Sequence, residues 1–596
     1  MTKQKSFFSE IMPSLKGCWL VTLLCPVFML GEVVLEVLIP MMMGEMIDKV
    51  QTLLEQSATA DVVFAEIGAT CLLMVIMSVV SLGCGFAGAA LSARGGTTFA
   101  RNLRNDVFSR IQSFSFYNID KFQTSSLVTR CTTDVTNIQM VYTMLIRICF
   151  RAPSMLIFAT IMAFVRGGDL AWIFAVSLPV LGTVIGILML KAYPRFSKML
   201  KKFDKLNENV QENLTNIRVV KSFVREETEK QKFFNTVTDV MNSQYSAEIL
   251  MVFVMPIMQL VMYMTRLAMV GIGGNMILIG STSLTVGALS SLLTYTVQIL
   301  SSLMMIAMIL VNVTTSRASA ERLDEIFKEV PDITGGDSTE KIESGSISFK
   351  NVNFAYAKDS DNYVLSDVNL EIKSGETVGI IGGTGEGKST LVQLIARLYD
   401  VSTGEVLVDG RNVKDYPLKT LRDAVAMVLQ KNLLFSGTIE DNMRWGNPDA
   451  TQEQIEDACK KAQAHDFVTS FPDGYQTELG QGGVNVSGGQ KQRLCIARAL
   501  LKDPKIIILD DSTSAVDTAT DEKIRYQFEH GLKNVTKIII AQRIASIQNS
   551  DKIVVIDNGK IADVGNHDQL IERCEIYQEV FASQVKGKEE GGDVNG

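Results

Sequence analysis

The sequence predicts a two-part fold: a membrane all-α domain of six transmembrane helices with long cytoplasmic extensions, fused to an α/β P-loop domain. Three observations predict it. Six apolar segments fill the first half, near residues 18–47, 62–91, 138–164, 170–190, 249–279 and 286–313. Basic residues crowd into alternate connections between them. From Gly345 onward the pattern changes to strand–turn–helix repeats, with GGTGEGKST at 382–390. Composition agrees. At 47% hydrophobic and 20% charged, the 596 residues are too apolar for an ordinary soluble enzyme and too charged for a purely membrane-embedded chain.

Each apolar segment can cross about 30 Å of hydrocarbon, which takes about 20 helical residues. Lys3, Lys5 and Lys16 precede the first. Arg94, Arg101, Arg104, Arg110, Lys121 and Arg130 lie between the second and third. Lys191, Arg195, Lys198, Lys201, Lys202, Lys205, Arg218, Lys221 and Arg225 follow the fourth. By the positive-inside rule both termini and both long loops are cytoplasmic, in a multi-pass protein of the cell membrane. No cleavable signal peptide is expected, because the first apolar run is too long and lacks a small-residue cleavage pattern. Residues 199–234 mix charged and apolar positions at helical spacing without proline or glycine. The spans are therefore expected to continue into the cytoplasm, turning near 116–126 and 211–217.

The boundaries read from composition are a membrane domain over 1–325, a linker over 326–345, a nucleotide domain over 346–582 and a glycine-rich, charged and disordered tail over 583–596. The net charge of −8 argues against a nucleic-acid partner. The nine cysteines form no CxxC pair, and most lie in apolar stretches, so neither a disulfide framework nor a zinc site is expected.

The glycine-rich stretch follows the apolar run 378–381 and matches G-x-x-x-x-G-K-[ST]. Gly382, Gly383, Thr384, Gly385, Glu386 and Gly387 would wrap phosphates with their backbone N–H groups. Lys388 would reach the β- and γ-phosphates of ATP, Ser389 would hold Mg²⁺, and Thr390 continues the site. Glu386 is unusual there and adds negative charge. Downstream, KIIILDDSTSAVD begins at Lys505. The apolar 506–509 reads as a buried parallel strand, and Asp510 at its end is placed to hold Mg²⁺. Glu32 and Glu36 share one face of the first span at i, i+4. They are candidates to attract a cationic amphiphilic cargo, or else to pair with neighbouring helices. Arg147 and Arg151, at the same spacing in the third span, are possible partners. The 28 methionines, including Met304, Met305 and Met308, are mostly lipid-facing or core, though some suit an adaptable pocket.

NVSGGQKQR at 485–493 resembles the LSGGQ signature of the ABC transporter ATPases, in the right order between the glycine-rich loop and Asp510. The resemblance implies that Ser487, Gly488, Gly489 and Gln490 contact ATP held by the opposite subunit. It also implies that Tyr356 stacks on adenine and that Gln430 touches Mg²⁺ and senses the membrane domain. Thr477–Gly483 is similar to an exporter X-loop, with Gln481 where glutamate is usual. Ser514–Asp517 is similar to the D-loop. Taken whole, the chain resembles a half-transporter of the type IV ABC exporters.

Two positions depart from that family. Asp511 stands where the hydrolysing members carry glutamate, and Gln542 where they carry histidine. Aspartate is one methylene shorter, and a base must come within about 3 Å of the water it activates. Displacing it by about 1 Å costs about 10²-fold. Heterodimeric bacterial multidrug exporters show the same pair of departures. The resemblance implies a partner half-transporter that carries the glutamate and histidine. The alternatives are a homodimeric lipid or peptide exporter and an ATP-binding regulatory subunit without transport. Nothing in the sequence names the cargo.

Overall fold

The computed structural model of the chain describes residues 11–56, 59–280, 284–357, 362–511 and 516–590. The chain divides into two compact units. Residues up to Gln112 together with Thr124–Glu329 form one; Ser113–Gln123 together with the chain from Val330 onward form the other.

The first unit is all helix. Helices α1 (Trp19–Glu55) and α2 (Ala60–Gln112) are followed by the short α3 (Phe116–Phe122), which clusters with the second unit. Then come α4 (Val135–Gly167), α5 (Trp172–Thr215), α6 (Glu226–Val252), α7 (Val254–Ile279), α8 (Val286–Thr315) and α9 (Arg317–Lys328). Among the described residues, five helical stretches are long and apolar enough to cross a membrane. One of them, Thr124–Thr215, runs to 92 residues, far more than a crossing needs. It divides at Gly168, whose φ of 50° ends α4, and the 3₁₀ turn Gly168–Ala171 leads into α5. Six spans result.

Packing explains the glycines and the outward apolar residues. A Cβ on Gly287 of α8 would lie 1.9 Å from the Gly44 carbonyl oxygen of α1, so these helices meet backbone to backbone. Around that contact Val33, Val37, Phe174, Leu292 and Tyr295 are buried, and the Tyr295 hydroxyl donates to the Val37 carbonyl at 2.9 Å. By contrast, none of the apolar window of α2 is buried, as a face turned to lipid requires.

The two turns expected beyond the spans differ from each other. Helix α3, capped reciprocally by Ser115 and Asn118, lies within the expected 116–126. The second turn begins at Asn216, inside the expected 211–217, and extends beyond it. With no glycine or proline there, α5 runs on to Thr215, and the turn comprises the short helix Ile217–Ser222 and a Val224 at φ 52°.

The second unit is α/β. An antiparallel sheet has the order β2-β1-β4-β5, from β1 (Ile347–Phe354), β2 (Leu365–Ile372), β4 (Thr403–Val408) and β5 (Arg411–Asn412). The larger sheet contains β3 (Thr377–Gly382), β6 (Val425–Val428), β7 (Ile506–Asp510), β8 (Thr536–Ile540), β9 (Lys552–Asp557) and β10 (Lys560–Gly565). Its order is β10-β9-β3-β8-β7-β6, parallel except for the β9–β10 edge pair. Every residue of β7 is buried, which is why it reads as an unbroken apolar run. Helix α10 (Lys388–Ile395) follows β3, α11 (Gly488–Leu501) precedes β7 and α12 (Thr518–Gly531) leads to β8.

The linker and tail need correction. Helix α9 carries residues 326–328 of the expected linker. Helix α13 (Glu575–Glu590) carries residues 583–590 of the expected disordered tail, extending from a base where Tyr577, Val580 and Phe581 pack on the sheet.

Candidate functional site

Strand β3 runs into the glycine-rich loop, and α10 begins at Lys388. The loop needs its glycines. Gly387 has φ 89°, and a Cβ there would lie 2.8 Å from Leu365 Cδ2 and 3.0 Å from the Val364 carbonyl oxygen. The Lys388 ammonium curls over the loop, donating to the carbonyls of Gly382 at 3.0 Å and Gly383 at 2.5 Å. Burial holds its pKa below the ordinary lysine value. Gly383, Thr384, Gly385 and Glu386 complete the loop, and Thr390 is buried one turn along α10.

Parallel strands bring the remaining groups to the same carboxyl edge. Asp510, 4% exposed, ends β7. The Ser389 hydroxyl donates to its Oδ1 at 3.1 Å. A hydroxyl and a buried carboxylate thus meet at the foot of the loop, an oxygen set that suits Mg²⁺. Burial raises the Asp510 pKa above the usual carboxylate range. Gln430 follows β6, the strand beside β7, and is exposed.

The two departing positions also meet. Asp510 pairs in register with Ile540, so the residues after β7 and β8 emerge side by side. Gln542 donates from Nε2 to Asp511 Oδ2 at 3.0 Å. Asp511 has φ 48°, a left-handed conformation that aspartate tolerates better than most residues. Its N–H is held by the Ile540 carbonyl at 3.0 Å. Burial raises the pKa of this carboxyl as well.

The signature stretch is the start of α11. Val486 is buried in the helical core, and Ser487 caps the helix reciprocally with Gln490. The cap leaves Ser487 and Gly488 exposed and Gly489 half-buried at the positive end of a 14-residue helix. Asp517 caps α12, accepting from the Thr520 N–H at 2.9 Å. Ser514 and Ala515 of the expected D-loop lie outside the described residues.

Tyr356 is exposed, and its hydroxyl bonds Thr390 Oγ1 at 2.9 Å. Its ring also meets Tyr399, which the sequence reading missed because nothing in RLYD marks that residue. In the membrane unit, Glu36 takes two hydrogen bonds from Arg151, at 2.9 and 3.0 Å, and Glu32 lies 3.5 Å from the same guanidinium. The pairing reading of these two carboxylates is therefore the one the geometry favours, with Arg151 as the partner. An apolar cavity of about 480 Å³ lies elsewhere in this unit, lined by residues that include Ile185, Met189, Phe196, Met251 and Leu303.

Comparison with known proteins agrees with this geometry. Residues 365–514 match the ABC transporter family model, and residues 22–303 match that of the ABC transporter transmembrane region. The chain is 34% identical over 558 residues to the ABC transporter ATP-binding protein YfiB of Bacillus subtilis (strain 168), covering 94% of this chain and 95% of the relative. It is 31% identical over 525 residues to the ATP-dependent lipid A-core flippase of Syntrophus aciditrophicus (strain SB), covering 88% of this chain and 86% of the relative. It is 34% identical over 490 residues to YgaD of Bacillus subtilis (strain 168), a protein named for multidrug export, covering 81% and 83%. A solved bacterial Atm1-family ABC exporter with ATP bound shares the fold, with TM-score 0.79 and 24% identity, covering 96% of this chain and 98% of that one. A membrane-spanning helical domain and a phosphate-binding α/β domain, matched together along nearly the whole chain, place it among the ABC transporters, as an ATP-hydrolysing membrane protein of the type IV exporter fold.

Proposed function

We propose that this chain is the degenerate-site half of a two-chain ATP-driven exporter, moving small amphiphilic or drug-like compounds across the cell membrane with both termini in the cytoplasm. The observation that carries the reading is the hydrogen bond between Asp511 and Gln542. The two residues that depart from the hydrolysing pattern occupy each other. The Gln542 amide takes up a carboxylate oxygen that would otherwise accept the proton of an attacking water, and aspartate has no extra methylene with which to reach past it.

In this reading Lys388, the loop N–H groups and Ser389 bind and orient the triphosphate, and the ring of Tyr356 carries the base. When bound, Mg²⁺ supplies charge neutralisation on the phosphate oxygens, with Ser389, Gln430 and Asp510 as the residues that would hold it. Ser487, Gly488, Gly489 and Gln490 complete the partner's site, where hydrolysis takes place. The apolar cavity favours a hydrophobic cargo, and relatives named for a lipid flippase and for multidrug export support that class. Glu32 and Glu36, tied to Arg151, serve the packing of α1 on α4 rather than the cargo.

The test is ATP hydrolysis by the purified chain in lipid, alone and with a candidate partner half. Activity that needs the partner, and disappears when the partner's glutamate is replaced, is the expected result. Turnover by the chain alone at about 1–10 s⁻¹ would make Asp511 a competent base and a homodimer the correct reading.

A further inference from the structure

Tyr399 touches two groups that the sequence keeps far apart. Its hydroxyl donates to Asp120 Oδ2, on α3, at 2.6 Å. Burial, and after it the hydrogen bond to Asp120, push this phenol above the ordinary tyrosine range, so it remains a donor. The Phe116 ring of α3 packs on the Tyr399 ring at 6.0 Å, tilted by 58°. Tyr399 also stands perpendicular to Tyr356, with centroids 5.2 Å apart, and Phe354 lies within 5.8 Å of it.

Tyr356 itself is fixed at both ends. Phe354 lies edge-on to its ring at 5.0 Å. Thr390 Oγ1, at 2.9 Å, and Gln393 Oε1, at 3.5 Å, hold its hydroxyl. Of these neighbours Tyr399 is the one that is also hydrogen-bonded to α3, the segment that leaves the membrane helices at Gln112 and returns to them at Thr124.

We propose that Tyr399 is a positioning residue. Anchored on Asp120, it sets the Tyr356 ring against which the base of this chain's own ATP stacks, so that seating of α3 and binding of the base support each other. The proposal rests on the base-stacking reading of Tyr356. An aromatic pair of this kind corresponds to about 2- to 10-fold in affinity.

The experiment uses the full-length transporter in lipid, with its partner half. This chain is photolabelled with a trace of ATP carrying an azide on its base. Labelling is competed with ATP or with inorganic tripolyphosphate, which has the phosphates and no base. Tyr399→Leu is expected to raise the ATP needed for half-competition about 3- to 10-fold and to leave the tripolyphosphate value unchanged. Tyr399→Phe and Asp120→Asn, which keep the packing, are expected to shift ATP the same way by less. Combined, they should shift it no further than Tyr399→Phe alone, since Tyr399→Phe removes the one hydrogen bond that Asp120→Asn weakens. A parallel loss of ATP and tripolyphosphate would mean a loosened phosphate loop and overturn the proposal, as would an unmoved ATP value. Tyr356→Leu separates the two layers. If it leaves ATP competition unchanged, the stacking reading itself fails. If it weakens ATP and Tyr399→Leu does not, the positioning role alone fails.

Discussion

Asp511 differs from the family's glutamate by one methylene and Gln542 from its histidine by the side-chain head group, and their contact makes them a unit. Asp511→Glu alone lengthens the base but leaves Gln542 able to hold it. With the partner's own glutamate replaced, so that only this chain's site turns over, Asp511→Glu is expected to raise single-turnover hydrolysis about 10-fold. Asp511→Glu with Gln542→His is expected to exceed the product of the two single effects, because residues in direct contact couple. Strict additivity would show that the hydrogen bond has no part in silencing the site. Both departures were legible in the sequence as positions in a motif. Their meeting was not, since 31 residues separate them and only the pairing of β7 with β8 joins them.

At the scale of elements, two ion pairs join the turn that leads into α4 to helix α9. Residues Arg130–Asp134 form one π-helical turn, which directs both of its charged ends at α9. Arg322 binds Asp134 in bidentate fashion, with Nε to Oδ2 at 2.7 Å, and Arg130 reaches Glu325 at 2.7 Å. Asp134 is fully buried and Arg322 is partly exposed. Arg322→Ala therefore strands a buried carboxylate, and is expected to cost about 1.5–3 kcal/mol, read as a lowered melting temperature of the chain in lipid. Asp134→Asn with Arg322→Gln should recover part of that loss, and no recovery would mean that the contact matters for its shape alone. The sequence predicts only that the spans continue into long extensions turning near 116–126. A π turn leaves no compositional trace, because it is set by what the side chains find on the facing helix.

For the molecule as a whole, the proposed division of labour between two half-transporters predicts unequal effects of symmetric-looking changes. Ser487→Asn keeps an efficient helix cap but replaces the hydroxyl offered to the partner's nucleotide. It is expected to lower steady-state ATPase of the proposed two-chain transporter at least about 10-fold, whereas Lys388→Ala, acting on the site proposed to be slow, lowers it less. The reverse order would place the main hydrolysis on this chain. The apolar spans, the glycine-rich loop and the order of loop, signature and β7 follow from the sequence itself. Hydrophobic length and glycine-rich loop chemistry are local, and a chain carries local chemistry in consecutive residues. What tertiary structure alone decided is which distant residues answer one another: Arg151 for Glu36, Gln542 for Asp511, Asp120 for Tyr399, Arg322 for Asp134. Each pair is made by helix packing or strand register, and neither is written in the spacing of residues along one segment.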